Sequence, residues 1–272
     1  MAEKFPKSLD WRDSEPCVVS PAKNQGHCGS CWAFATTGVV ESHAAIASGV
    51  LTILSPQQLV TCAENKFHCG GTGGCDGSTS ELAMDYIKKY GMTYEDVIPY
   101  VSFFGDEPKC SDTMKYRAMA YKMVTIEGWV KTETNSYEAV MHALVNYGPL
   151  AISVDASHWS PYSSGIANPC SIKKNVDIDH AVGLVGFGEE DGKMYWTVRN
   201  SWGATWGEKG YIRLERQDKK YCGMDSTPHH GSACEADPDT PVKVCGTCGI
   251  LYDVSYPTGA AVVGVGKGTV DR

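Results

Sequence analysis

The side chains most suited to catalysis in this sequence are two cysteines three residues apart. Cys28 and Cys31 stand in NQGHCGSCWAF, residues 24 to 34, and an apolar run follows Cys31 directly. If Cys31 lies in the first turn of a helix, the partial positive charge of the helix N-terminus stabilises its thiolate, the nucleophilic form. A thioredoxin-like redox pair would require a βαβ unit around the two cysteines, and the flanking sequence has no such pattern. Cys31 is therefore a candidate nucleophile, with two structural cysteines as the alternative.

His180 and Asn200 are the candidate partners of this thiolate. A cysteine nucleophile needs an imidazole that holds an ion pair and later protonates the leaving group. His180 begins the strand HAVGLVGF, the turn GEEDGK follows, and the next strand, MYWTVRNSW, carries Asn200. Pairing Gly188 with Lys193 across the turn puts His180 and Asn200 at the same end of one hairpin. There the amide oxygen can accept a ring N–H and fix the imidazole, although each residue alone fits a strand end or a turn.

The elements that must position these residues divide the chain into two halves. Capping residues and apolar runs predict helices over residues 30–49, 55–62, 78–91 and 136–147, the third opened by residues 78–80. Short β-rich runs bounded by Gly and Asp predict strands at 150–154, 181–187, 194–198 and 211–214. Helices followed by strands favour an α+β protein of two lobes with a cleft between them.

Composition excludes some functions and indicates a compartment. The net charge of −8 and the absence of a basic run argue against nucleic-acid binding. No apolar stretch approaches the roughly 20 residues that span a bilayer, so no membrane segment is expected. Twelve cysteines in 272 residues favour an oxidising compartment and several disulfides. We therefore expect a secreted, vacuolar or lysosomal protein from which any signal peptide has been removed.

Seven stretches of the sequence resemble the papain family of cysteine peptidases, close to its cathepsin L branch. They are DWR at 10–12, NQGHCGSCWAF at 24–34, LSPQQLVTC at 54–62, GCDG at 74–77, DHAVGLVGFG at 179–188, NSWGATWGEKGYIRL at 200–214 and CGILYDVSYP at 248–257. The resemblance implies one papain-like peptidase domain over residues 1–272, in an α+β fold with two lobes. A helical left lobe, roughly 13–117, would face an antiparallel, β-barrel-like right lobe, roughly 118–255. Terminal segments would cross between the lobes, and the active-site cleft would lie between them.

The same resemblance implies a cysteine endopeptidase that acts through a thioester on Cys31. His180 would serve as acid and base, Asn200 would orient it, and Gln25 would donate to the oxyanion beside the backbone N–H of Cys31. Trp202 would shield the His180–Asn200 hydrogen bond from water. Neither a metal nor an organic cofactor is implied. The implied partners of this monomer are polypeptide substrates, its own pro-segment, removed from a longer precursor, and cystatin-like inhibitors.

The substrate-binding residues are likewise implied by the resemblance. One departure is Ser78, which stands where the family has the second glycine of its groove. Asp253, five residues after Cys248, would form the floor of the pocket for the second residue before the cut. Its carboxylate would let basic side chains bind there besides apolar ones, and protonation at low pH would weaken that preference. The full candidate set is Gly77, Ser78, Thr79, Ser80, Ser153, Asp179, Ala181, Trp202 and Asp253.

The remaining cysteines indicate an insertion. The resemblance implies disulfides Cys28–Cys75, Cys62–Cys110 and Cys170–Cys248, leaving five cysteines: Cys17, Cys69, Cys222, Cys234 and Cys245. Because five is an odd number, at least one should be a free thiol or be paired in an unexpected way. Three of them lie in a polar stretch, roughly 217–245, that the family usually lacks, and we interpret it as a disulfide-stapled surface insertion.

Three alternatives remain open at the level of sequence. Zinc bound by cysteines of the insertion competes with disulfides, since Cys245 and Cys248 have C-x2-C spacing. A catalytically silent homologue would be indicated by loss of Cys31, which is present. An exopeptidase would need a block across one end of the cleft. The pair His229 and His230 resembles part of such a block, but it comes after Asn200 in the chain.

Overall fold

The computed structural model describes residues 5–217 and 221–264. Its helices are α1 (Cys31–Ser48), α2 (Pro56–Cys62), α3 (Ser80–Tyr90), α4 (Asp112–Ala120) and α5 (Tyr137–Asn146). Four of these five match the predicted helices to within a residue or two at each end. The fifth, α4, was not predicted. No helix of the described residues is long and apolar enough to cross a membrane.

The strands form one large sheet and two small ones. They are β1 (Leu9–Asp10), β2 (Met92–Thr93), β3 (Lys122–Thr125), β4 (Gly128–Lys131), β5 (Leu150–Val154), β6 (Ile166–Ala167), β7 (His180–Glu190), β8 (Lys193–Arg199), β9 (Tyr211–Glu215), β10 (Cys222–Asp225), β11 (Val242–Cys245), β12 (Asp253–Thr258) and β13 (Ala261–Val262). The large sheet has the order β4-β12-β5-β7-β8-β9-β6, with β1 also paired to β7. Its pairs are antiparallel except β6 with β9.

This sheet is open, which corrects the expectation of a barrel-like right lobe. Among the described residues, its first strand, β4, does not pair with its last, β6. The α+β, two-lobe expectation itself is confirmed. One main cluster of buried side chains surrounds the large sheet and α5, and the other surrounds α1, α2 and α3.

Helix α1 lies between the two clusters and fixes the position of Cys31. Every residue from Trp32 to Ala45 is buried, as expected for a helix that is largely apolar all round. The helix ends at Gly49, whose φ of 76° gives the left-handed C-terminal cap that glycine adopts without strain. Cys31 is its first residue, at the end that faces the cleft.

The hairpin β7–β8 begins at His180 and is followed directly by Asn200, but its predicted register was wrong. Gly188 pairs with Tyr195, not with Lys193, because a two-residue turn at Asp191 and Gly192 closes the hairpin. Both turn residues have positive φ, 51° and 75°, as in the primed turns that Asp-Gly favours. His180 and Asn200 nevertheless lie at the same end of the hairpin, as offset rather than directly opposed neighbours.

Five disulfides are present, and the three pairings implied by the resemblance are confirmed. The other two are Cys69–Cys234 and Cys222–Cys245. These bonds occupy the sulfurs that the zinc hypothesis required. Among the described residues, Cys17 and Cys31 are the free cysteines.

Candidate active site

Cys31 and His180 form the centre of the site. Burial raises the pKa of the Cys31 thiol, but its hydrogen bond to His180, the charge of that ring and the backbone N–H groups of Trp32 and Ala181 outweigh burial and lower it. Burial likewise lowers the pKa of His180, and the bonds to Cys31 and Asn200 raise it overall. Opposite shifts of this kind favour a thiolate beside an imidazolium.

Asn200 holds the ring of His180 in place. Nε2 of His180 donates to Oδ1 of Asn200 at 2.8 Å, which leaves Nδ1 to face Cys31. The same Oδ1 accepts the backbone N–H of Ser201 at 2.8 Å, so the amide cannot turn freely. Trp202 stacks on the imidazole with ring centroids 5.1 Å apart, and Trp159 meets it edge-on at 6.2 Å. Both indoles therefore pack against the ring that makes the His180–Asn200 bond.

Gln25 is held beside the same hairpin. Its Oε1 accepts Ser201 Oγ at 2.6 Å, and its Nε2 donates to the carbonyl of Cys28 at 2.9 Å. A carboxamide nitrogen carries two N–H groups, so a second one remains for an oxyanion near Cys31. The structure thus gathers the four residues proposed for catalysis: Gln25, Cys31, His180 and Asn200.

A space of about 320 Å³ opens beside Cys31 between the two lobes. Gly77, Ser78 and Thr79 line it from the helical side, and Ser153, Asp179 and Ala181 from the sheet side. Ser80 is the first residue of α3 and is buried, outside the lining of this space. Most of the candidate substrate-binding residues therefore meet at one groove.

Asp253 lines a neighbouring space of about 590 Å³, which Thr79 also lines. Its carboxylate accepts Ser153 Oγ at 2.7 Å and lies 2.5 Å from Lys131 Nζ, so its charge is already paired. Lys131 also lies 3.9 Å from Glu81. Burial raises the pKa of Glu81 to about 7, with repulsion from Asp253 adding to burial and Lys131 opposing it.

Sequence reasoning missed Glu81 and Lys131. They lie on α3 and β4, 50 positions apart, and the sequence shows no motif that joins them. The sequence left open what the insertion contacts, and in the structure His230, Gly231 and Ser232 line the space beside Cys31. The insertion is therefore more than a surface feature. Cys69 and Cys234, to which the resemblance assigned no partners, were the sequence signal that the insertion is tied to the helical lobe.

Comparison with known proteins agrees with this geometry. The family model described as papain family cysteine protease matches residues 5–231. Mouse procathepsin L is 40% identical over 229 residues, which cover 81% of this chain and 64% of that protein. A KDEL-tailed cysteine endopeptidase of Arabidopsis thaliana is 38% identical over 258 residues, covering 93% of this chain and 60% of that one. The chain thus spans less than two thirds of these relatives' length.

A solved structure gives the same likeness in three dimensions. Bromelain protease from Ananas comosus, in complex with the inhibitor E64, has a TM-score of 0.71 and 33% sequence identity. The likeness covers 93% of this chain and 99% of that one.

Proposed function

The chain belongs to the papain family of cysteine proteases, and from that premise we propose that it hydrolyses peptide bonds as a cathepsin L-like cysteine endopeptidase. The observation that carries the proposal is the contact of Cys31 with His180, whose ring Asn200 holds at 2.8 Å. The name of the Arabidopsis relative, a cysteine endopeptidase, supports internal cleavage.

The chemistry follows from the positions of these side chains. The Cys31 thiolate attacks the scissile carbonyl, and Gln25 with the backbone N–H of Cys31 stabilises the oxyanion. His180 then protonates the departing amine, which leaves a thioester on Cys31. In the second half, His180 removes a proton from water, and the resulting attack on the thioester releases the acid and restores the thiolate beside the imidazolium. Each step uses side chains, backbone and water.

The two free cysteines provide a matched test. Cys31→Ala should abolish turnover of a peptide substrate, whereas Cys17→Ala should leave kcat/KM unchanged because Cys17 is exposed and takes no part in the site. Turnover by a folded Cys31→Ala protein would refute the proposed nucleophile.

The specificity proposal concerns the residue two positions before the cut. Its side chain would pass Thr79 and Ser153 into the space where Asp253, Lys131 and Glu81 meet. That cluster has one positive and two potential negative charges, so basic side chains would bind there besides apolar ones.

The partners and compartment are proposed from the relatives and the cysteine chemistry. The mouse relative is a pro-form by name, which supports a pro-segment for this chain as well. Cystatin-like proteins would be inhibitors of the monomer. Five disulfides support a lysosomal, vacuolar or secreted location.

A further inference from the structure

The loop between β10 and β11 crosses the substrate groove. We call residues 226–241 the strap. Its base is a two-stranded hairpin in which Asp225 pairs with Val242 and Cys222 with Cys245, where a disulfide joins the strands. The hairpin is anchored on the sheet side by the N–H of Val176, which donates to the carbonyl of Met224 at 3.0 Å.

The far part of the strap is attached to the helical lobe. Cys234 forms a disulfide with Cys69, and the N–H of Gly70 donates to the carbonyl of Ala233 at 2.9 Å. The N–H of Glu235 donates to the carbonyl of Phe67 at 3.2 Å. One covalent bond and two backbone hydrogen bonds therefore hold the strap on the side of the groove opposite its base.

Between these attachments, the strap lies against the floor of the groove. A Cβ on Gly231 would stand 2.0 Å from the carbonyl oxygen of Ile178, so the backbones touch with no room for a side chain. Only Ser232 separates this contact from Ala233, which is bonded to Gly70. Ser232 lines both the space beside Cys31 and the space that holds Asp253. The strap thus divides the groove.

The distance from the strap to the catalytic centre limits the substrate. An extended chain advances about 3.3 Å per residue, and Ile178 precedes His180 by two residues. An extended peptide lying along this segment therefore has room for about two residues before it meets Gly231.

We propose that the strap closes the groove on the amino side of the scissile bond, so that the enzyme prefers bonds about two residues from a peptide's N-terminus. This inference rests on the proposed peptidase activity, and it limits the internal cleavage proposed above to chains that displace the strap. Internal bonds of longer chains are cut efficiently only when the strap is displaced. The second-position side chain still enters the space beneath the strap, because Thr79 lines both spaces.

The charge at the closed end suits such a substrate. Asp179 lines the space, and its Oδ1 accepts the backbone N–H of Ala156 at 3.0 Å, which leaves its other oxygen for a further donor. A peptide that ends at the strap presents its α-ammonium group there, and the carboxylate of Asp179 offsets its charge.

Two variants release the strap in different ways. In the first, an Asn-Gly turn replaces residues 226–241 and Cys69 becomes Ser. The direct pairing of Asp225 with Val242 suits a two-residue turn, and the Cys222–Cys245 bond is kept. The second is Cys69→Ser/Cys234→Ser, which opens only the disulfide to the helical lobe. The matched control is Cys62→Ser/Cys110→Ser, which removes a disulfide of the helical lobe outside the lining of the groove.

The measurement is kcat/KM for two fluorogenic substrates with the same two residues before the cut. One has a free N-terminus at the second residue, and the other continues through two more residues to an acetyl cap. The native enzyme should prefer the short substrate by about tenfold or more, and strap replacement should raise cleavage of the long one by a similar factor. The second variant should shift the ratio in the same direction, and the control should keep the native ratio. Unfolding transitions establish that each variant is folded.

Equal cleavage of both substrates by the native enzyme, or an unchanged ratio after strap replacement, would overturn the proposal. Alkylating peptides of two and four residues give a second readout that needs no turnover. If the short one labels Cys31 much faster than the long one, the strap limits access even if hydrolysis is absent. That result would separate failure of the proposed peptidase activity from failure of the strap proposal.

Discussion

Glu81 should control how the preference for a basic second-position residue depends on pH. The sequence assigns this role to Asp253 alone, but in the structure Lys131 and Ser153 already pair with that carboxylate. With Glu81 ionised, the cluster of Glu81, Lys131 and Asp253 has a net charge of about −1; with Glu81 protonated, it is about neutral. The ionisation of Glu81 therefore decides whether the cluster has the net negative charge that attracts Arg.

The pKa of Glu81 sets the size and the pH range of the effect. Because burial raises this pKa to about 7, the ionised fraction falls about tenfold for each pH unit below it. If Arg required the ionised form, its advantage over Leu would fall by at most about 50-fold between pH 7 and 5, or about 2.3 kcal/mol, because the ionised fraction falls from about one half to about one hundredth. The Glu81 side chain is 15% exposed. Solvent therefore screens its contact with Arg, and we expect the Arg advantage to fall by about tenfold.

The assay is kcat/KM from pH 5 to 8 for two substrates that differ only in Arg or Leu at this position. Taking the ratio cancels the titration of the Cys31–His180 pair, which both substrates share. In the native enzyme the Arg/Leu ratio should rise with a midpoint near 7, and Glu81→Gln should make it flat and low. Asp85→Asn is the control, because Asp85 lines the same space but bonds Trp129 Nε1 at 2.8 Å.

A native ratio that does not change with pH would refute this reasoning. So would a Glu81→Gln enzyme that keeps the native profile. Asp253→Asn should lower the ratio at every pH, because it leaves Lys131 without its nearest carboxylate and so repels a basic side chain.

Three further outcomes are expected. Asn200→Ala should lower kcat by about 10- to 100-fold while Cys31→Ala abolishes turnover, because Asn200 orients the imidazole and transfers no proton; equal losses in steady-state assays would contradict this. In a Cys17→Ala background, His180→Ala should move the pH profile of Cys31 alkylation upward, because the hydrogen bond and charge that lower the thiol pKa are lost; an unchanged profile of iodoacetamide labelling rates would argue against the ion pair. In a Cys31→Ala background, Glu81→Gln should increase the free energy of unfolding, measured with denaturant, more at pH 8 than at pH 4. The difference between the two pH values should be at most about 3 kcal/mol. The reason is that the carboxyl of Glu81 ionises near 4.5 in the unfolded chain but only near 7 in the folded one, so its ionisation destabilises the native fold at high pH. Greater stabilisation at pH 4 would have the wrong sign.

Local patterns were sufficient where neighbours in sequence determine the structure. Helix α1 and strand β5 fall where apolar runs and capping signals predict them. Helix α4 was missed because only Ala118 of its nine residues is buried, so no apolar stripe marks it. The β7–β8 register failed because the Asp191–Gly192 pair fixes the turn more tightly than the predicted loop.

The sequence by itself was enough to propose the nucleophile and its partners. Cys31 follows a helix start, and His180 and Asn200 share a hairpin, so local periodicity and turn length bring these residues near their positions. Resemblance then supplied the family and three of the disulfides. The family and the three disulfides are confirmed, and the proximity of these residues could be predicted, because each depends on a short segment or on a motif carried intact in the chain.

Only the tertiary structure decided which charged groups surround Asp253 and where the strap meets the groove. Lys131 meets Asp253 from 122 positions away, and the strap reaches Cys69 from Cys234 across 165 positions. Such contacts form because the packing of α3 against β4, and the attachment of the strap to both lobes, bring distant segments together. Neither hydrophobic periodicity nor residue spacing encodes them. The raised pKa of Glu81 also depends on the tertiary structure, because only folding buries this carboxyl and brings the carboxylate of Asp253 close to it.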